Sequence, residues 1–252
     1  MLGSIICEAT RVKIRKQFFK IPNPEGIFRA TNQKRCFPSP ISQHFHHPSH
    51  HRTNTSSSTT MSTLLASLAR CNQALLQHKL ALLDALVLKH GAERANLLYA
   101  LPCPLVGHST LGQHVRHSTD HMERAIACLH EEKNQVHYDV RTRGGPDEHN
   151  MEVAKQRICQ LQETLDFFAT SQKHIPLLDH PLNAYFVLEA GSPEVALPST
   201  AARELGFGAH HAIHHLAFVK VIAMQTGGLN EEDLPVDFGK APSTIQYEQE
   251  ER

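Results

Sequence analysis

The feature that most constrains the fold is a long apolar segment, residues 200–225, which carries four histidines within the stretch GAHHAIHHLAF. Its apolar residues recur at helical spacing, so the segment predicts a helix. His211 and His215 are four residues apart and therefore project from the same face of that helix. Lys220 lies on the opposite side of the helical wheel. We therefore expect His211 and His215 to point into the protein.

Three further segments have a helical period, namely residues 62–90, 110–134 and 147–172. Before the last helix, the stretch LNAYFVLEAGSPEVALPST contains two β-prone runs around a Gly-Ser-Pro turn, which predicts a hairpin. After the last helix the chain lacks a helical period, and we expect it to lie extended with Phe238 as an anchor. The pattern predicts an all-α fold, a four-helix bundle with a small β-hairpin inserted before the last helix.

The N-terminal sixty residues differ from the rest of the chain. They hold nine Lys or Arg against two Glu, and they end in a tract rich in His, Ser, Thr and Pro without a sustained apolar period. We expect residues 1–60 to be a disordered basic leader and residues 61–252 to be the folded domain. Three interpretations of the leader are open: an organellar transit peptide, a disordered tail, or a sequence preceding a true start at Met61.

Composition excludes several classes of function. The chain after residue 60 has 16 basic and 23 acidic residues, a balance that disfavours nucleic-acid binding. No apolar run approaches the roughly 18 residues that span a bilayer. The six cysteines form no CxxC pair, which is typical of reduced thiols in an intracellular protein. We expect a soluble cytoplasmic protein, or a mitochondrial or plastid one if the leader is a transit peptide.

A second helix also carries histidines on one side, at spacings of +3 and +7: His114, His117 and His121. Several buried imidazoles that face one another are unfavourable unless a common partner satisfies them, and a divalent metal does so. Three histidine ligands from two helices leave coordination positions open for water or substrate. The motif of HExxH proteases is excluded, because Ala212 stands where their glutamate would be.

At these residues the chain resembles the DinB-like family of metal-binding four-helix bundles, which includes bacterial thiol-dependent S-transferases. The resemblance covers about residues 62–248. In TLGQHVRHSTD, His117 is followed three residues later by Asp120, and HAIHH supplies the pair on the last helix. The resemblance implies a metal site formed by His117, His211 and His215.

The first of these ligands has a competitor. Wheel geometry alone favours His114, whereas the family's register favours His117, which we adopt. His114, His121 and His214 are then expected to surround the metal ligands or to replace one of them.

The expected cofactor is a divalent ion, Zn²⁺, Fe²⁺ or Ni²⁺, because three histidines accept several first-row metals. Such an ion polarises a thiol, a water or a carbonyl oxygen. The resemblance implies thiol transfer or hydrolysis, with a small thiol or another small molecule as substrate. The alternative is a non-catalytic metal-binding or metal-stabilised protein, which can form a homodimer through its exposed helix faces.

The loop HYDVRTRGG follows the second helix and carries candidate substrate-binding residues: Tyr138, Arg141 and Arg143. A guanidinium suits a carboxylate, so either arginine can bind an anionic group of a substrate. The alternative is that an arginine pairs with Asp139 and braces the loop.

Overall fold

A computed structural model of the chain describes residues 55–130, 133–140, 143–170 and 172–251. These residues belong to one compact unit, His51–Arg252. The first helix begins at Thr55, earlier than the Met61 at which the helical pattern becomes clear. The remainder of the expected leader lies outside the described residues, and its nature stays a prediction.

The described chain is mostly helical and has one small sheet. Its helices are α1 (Thr55–His90), α2 (Ala92–Tyr99), α3 (Leu111–Ala127), α4 (Met151–Thr170), α5 (Ala201–Gln225) and α6 (Pro242–Glu250). Its strands are β1 (Gln135–His137), β2 (Pro181–Phe186) and β3 (Val195–Thr200). Within the described ranges, no helix combines the length and the apolarity needed to cross a bilayer.

The four long helices pack on one another. Helix α3 contacts α5 and α4, and α1 contacts α4 and α5. Fully buried apolar side chains fill the space between them, such as Leu76 and Leu83 of α1 and Met122 of α3. Gly208 permits the close approach of α5 to α3, because a Cβ there would lie 3.0 Å from the Cβ of Ala125. This close crossing brings the histidines of the two helices together.

The sheet confirms the predicted hairpin and adds a strand to it. Strands β2 and β3 pair antiparallel, and β1 pairs parallel with β2 through Val136 and Ala184. The sequence had suggested that the second helix runs to residue 134, but α3 ends at Ala127. Beyond that point the chain pairs with β2, and Val136 and Tyr138 are buried there. A non-local partner therefore overrides the local helical pattern.

The expectation of an extended C-terminal segment was wrong in part. Residues Pro242–Glu250 form α6, none of whose side chains is buried, so it has no apolar period to reveal it. Phe238 is the anchor that was predicted, since it is buried and its ring stacks on His78 at 5.6 Å. Helix α2 was also missed, and the described residues thus contain two short α-helices beyond the four that were expected, together with four 3-10 helices.

Candidate metal centre

Helices α3 and α5 each begin at a threonine cap that sets the register of their histidines. Thr110 accepts a hydrogen bond from the backbone N–H of Gln113, and the Gln113 side chain accepts one from the N–H of Thr110. This reciprocal pair is a capping box. Thr200 caps α5 by accepting from the N–H of Arg203. The crossing of the two capped helices places their histidine faces in contact, as predicted.

Three of the predicted ligands converge. Each of His117, His211 and His215 offers one ring nitrogen, and these three atoms all lie within 4.8 Å of one another. The Nε2 atoms of His117 and His211 are 3.1 Å apart. Metal–nitrogen bonds of about 2.0–2.1 Å in a tetrahedral site place ligand nitrogens about 3.3 Å apart. The three half-buried rings can therefore hold a metal ion.

His114, the competing first ligand, lies beside this group and is not part of it. Its Nδ1 is 2.8 Å from Nδ1 of His215, and its Nε2 is 2.8 Å from Oγ of Ser109. Its ring also stacks on that of Phe218, with centroids 5.4 Å apart. The structure thus makes His117 the residue that converges with the α5 pair and gives His114 a place next to His215.

The two other candidate histidines flank the group on different sides. His121 is buried, and its ring stacks on that of His211 with a centroid distance of 3.8 Å. His214 is exposed and presents its ring edge-on to His215 at 5.3 Å. Both therefore lie beside the three converging histidines.

The environment disfavours the charged form of His215 and of His114. Burial, together with the neighbouring His117 and His211, lowers the pKa of His215 to about 2. Burial and the nearby His214 also lower the pKa of His114. A neutral imidazole is the form that binds a metal, so His215 is in its ligating protonation state at neutral pH.

The candidate substrate residue Tyr138 is placed behind the site. It is fully buried, and its hydroxyl donates to Oε2 of Glu204 at 2.6 Å. Its ring stacks on that of His121 at 4.9 Å. Burial and the hydrogen bond to Glu204 both raise the pKa of Tyr138. This side chain supports the histidine cluster from the protein interior and does not reach the cavity described next.

A cavity of about 310 Å³ opens beside the cluster. Its lining residues are Ser109, Gln113, His114, Arg116, His117, Arg143, Glu148 and His215. Arg143, a predicted substrate residue, is exposed at its wall and makes no ion pair within the described part of the chain. Among the described residues Arg143 forms no ion pair with Asp139, whose carboxylate accepts from the N–H of Val187 at 2.8 Å. Arg141 lies outside the described residues.

Cys128, seven residues after His121, is a packing residue. Cys128 directly follows α3, is buried, and donates to the carbonyl of Arg124 at 3.3 Å. Burial, and secondarily Glu204, raises the pKa of its thiol to about 12. The reactive form of cysteine is the thiolate, so Cys128 is not an activated nucleophile.

A network of ion pairs beside the cavity was not foreseen. It joins two arginines to four carboxylates: Arg116, Arg157, Asp120, Glu123, Asp147 and Glu148. Arg116 Nε lies 2.6 Å from Glu148, and Arg157 binds Asp120 and Asp147 at 2.7 Å each. Asp120, the acidic residue of the family-like motif, thus belongs to this network and not to the metal group. The i, i+4 spacing of Arg116 and Asp120 was the one local signal available.

Comparison with known proteins found a relative that aligns with part of the chain. No family model matches the chain, and no solved structure matches it. FK506-binding protein 5 of Rhizopus delemar is 34% identical over 113 residues, which make up 44% of this chain and 27% of the fungal protein. The chain thus spans about a quarter of the length of that relative.

Proposed function

We propose that the chain is a divalent-metal-binding protein of the DinB-like family and that its metal centre serves an enzyme acting on a small molecule by thiol transfer or hydrolysis. The observation that carries the proposal is the convergence of His117, His211 and His215 from two helices. In this proposal α1, α3, α4 and α5 correspond to the four-helix bundle of the family. The sheet is then an insertion completed just before α5.

An accessible coordination position favours an enzyme over a structural metal site. Structural zinc sites have four protein ligands, whereas three ligands and an open position characterise catalytic ones. Here the group contains three histidines, and two of them, His117 and His215, line the 310 Å³ cavity. A small molecule that enters this cavity can therefore reach a metal bound by the histidines.

An ion of Zn²⁺, Fe²⁺ or Ni²⁺ held there would supply Lewis acidity toward a thiol, a water or a carbonyl oxygen. The protein itself supplies groups that bind the substrate. Arg143 presents a guanidinium that can hold a carboxylate at the cavity wall. Because Cys128 is buried with a raised pKa, the proposal takes the reacting thiol from a substrate and not from Cys128.

The test measures metal content first and ligand access second. Elemental analysis of the purified full chain should find one divalent ion per chain. After replacement by Co²⁺, addition of 2-mercaptoethanol should change the visible absorption spectrum, because the thiol occupies the open position. A protein that binds no metal would overturn the proposal. A spectrum that does not respond to thiol or to other small ligands would favour the non-catalytic alternative.

A further inference from the structure

A chain of hydrogen bonds leads away from the predicted ligand His215. Its Nδ1 lies 2.8 Å from Nδ1 of His114. The other ring nitrogen of His114, Nε2, lies 2.8 Å from Oγ of Ser109. Oγ of Ser109 in turn donates to the backbone carbonyl of Val106 at 2.6 Å. Four groups are thus linked in series, and the last of them can only accept.

The carbonyl at the end of the chain determines where every proton lies. Because the single hydroxyl proton of Ser109 is used on Val106, Oγ must accept a proton from Nε2 of His114. A neutral imidazole carries one N–H, so Nδ1 of His114 is then a bare acceptor. It accepts from Nδ1–H of His215, which leaves Nε2 of His215 without a proton.

The opposite proton order is unfavourable. It would turn the hydroxyl of Ser109 toward His114 and leave two oxygens 2.6 Å apart with no proton between them. It would also place the proton of His215 on Nε2, where its lone pair could no longer bind a metal. The stacking of His114 on Phe218 further limits rotation of the ring that joins the chain.

We infer that His114 and Ser109 are positioning residues that hold His215 in the Nδ1–H tautomer and so direct its Nε2 lone pair toward the metal. The inference rests on the proposed metal site, but the tautomer is a property of the metal-free protein. Metal-binding histidines generally donate their second N–H to an acceptor, which fixes the ring and raises its basicity. Here the acceptor is a second imidazole, and both positioning residues line the cavity.

The first test is the protonation of His215 in the metal-free full chain. Long-range proton–nitrogen NMR spectra should show the proton of His215 on Nδ1 and that of His114 on Nε2. His114→Phe removes the acceptor and keeps a ring of similar size against Phe218. In this variant His215 should shift toward the Nε2–H form. Protonation of His215 on Nε2 in the unaltered protein would overturn the inference, whether or not the protein binds metal.

The second test is Zn²⁺ affinity measured by competition with a chelator. His114→Phe should weaken binding about 10- to 100-fold, the usual loss when such a partner is removed. His114→Gln should restore most of the affinity, because its amide oxygen can accept from His215 and its N–H can donate to Ser109. The matched control is His210→Phe, at an exposed position of the same helix outside the candidate ligands, and it should leave the affinity unaltered.

Ser109→Ala should cause a smaller loss of Zn²⁺ affinity in the same direction, since His114 then keeps its contact with His215 but loses the group that orients it. An unchanged affinity in His114→Phe would refute the positioning role. Complete loss of stoichiometric metal in both His114→Phe and His114→Gln would make His114 a ligand and would also refute it. If the unaltered protein binds no metal but carries the Nδ1 proton on His215, the proposed function fails while the tautomer assignment stands.

Discussion

Helix α3 carries two buried polar clusters of opposite character. Arg116 and Asp120 belong to the ion-pair network with α4 and its preceding turn, whereas His117 belongs to the imidazole group with α5. In the network, each carboxylate has a guanidinium partner. In the imidazole group, ring nitrogens approach one another, with Nε2 of His117 and of His211 only 3.1 Å apart.

We call the ion-pair network the closed cluster, because its charges are paired within the protein, and the imidazole group the open cluster, because it can bind a cation. A buried charge is tolerated when its partner is also in place, so the network needs nothing from outside the protein. The converging imidazoles make hydrogen bonds to one another and to His114, and a cation can instead bind all three ring nitrogens together. The comparison therefore teaches that burial of polar groups alone does not mark a ligand site. The feature that points to a ligand is the convergence of three imidazole nitrogens beside a cavity.

The largest expected effect tests the open cluster. His211→Ala or His215→Ala leaves two of the three ligands, and stoichiometric metal binding by the full chain should be lost. His210→Ala is the matched control, because His210 is exposed on the same helix and should not alter metal content. Elemental analysis after dialysis checks the result. Retention of one ion per chain in both ligand variants would place the metal elsewhere.

The next effect tests the closed cluster. Arg116→Met leaves Glu148 without its guanidinium and Asp120 with only Arg157. Breaking a buried ion pair on one side typically costs about 3–5 kcal/mol, so the free energy of unfolding in urea should fall by about that amount. Arg94→Met, at an exposed position of α2, should change it by less than about 0.5 kcal/mol.

Metal content distinguishes the two clusters in the same variant. Because Arg116 is not among the three converging residues, folded Arg116→Met protein should still bind one ion per chain. Loss of the metal from protein that remains folded would show that the network is part of the metal site.

The buried amine of Lys79 is a third kind of polar group on these helices. It belongs neither to the ion-pair network nor to the imidazole group. Lys79 is fully buried and donates to Oγ1 of Thr119 at 3.0 Å. Burial lowers its pKa to about 7, with Arg157 lowering and Asp120 raising it by smaller amounts. Between about pH 7 and 10.5 the unfolded chain therefore holds a proton that the folded chain has lost, and stability rises with pH.

Lys79→Met should remove the pH-dependent part of the free energy of unfolding that comes from this amine. The free energy of unfolding of the unaltered protein, relative to that of the variant, should increase by up to about 1.4 kcal/mol per pH unit across that window. The variant should be the more stable of the two near pH 7. Urea unfolding at several pH values checks both statements. Lys89→Met, which removes an amine from an ion pair with Asp233 near the surface, should not reproduce the slope. A parallel pH dependence of the variant and the unaltered protein would contradict the neutral buried amine.

The smallest expected effect concerns the cavity beside the open cluster. Arg143→Gln should leave metal content unchanged, because Arg143 lines the cavity but is not among the converging residues. With Co²⁺ bound, it should weaken binding of 3-mercaptopropionate about tenfold, or about 1.4 kcal/mol. Binding of 2-mercaptoethanol, which lacks a carboxylate, should not change. Equal effects on both thiols would show that Arg143 does not recognise the anionic group.

Much of the helical framework could be predicted because it depends on local periodicity. The face shared by His211 and His215 follows from their i, i+4 spacing, and Thr200 and Thr110 cap the two helices that meet at the site. The hairpin before α5 followed from two β-prone runs around a turn. Each of these properties is encoded within about twenty consecutive residues.

Other features could not be predicted from local sequence. Some depend on contacts with distant residues, and one, α6, buries no side chain that could produce a periodic pattern. Strand β1 forms only because β2 lies beside it, and α6 has no buried side chain that could produce a period. Tyr138 looked like a loop residue open to a substrate, but Glu204, 66 residues later, binds its hydroxyl in the interior.

The choice between His114 and His117 shows most clearly what the sequence decides and what the tertiary structure decides. By itself, the sequence determined that two helices each present histidines on an inward face, because the turn of a helix sets which side chains share a side. The tertiary structure decided that His117 meets His211 while His114 meets His215 from outside the group. Both histidines of α3 satisfy the helical wheel. Only the crossing of α5 over α3, where a Cβ on Gly208 would lie 3.0 Å from that of Ala125, sets which ring reaches the centre.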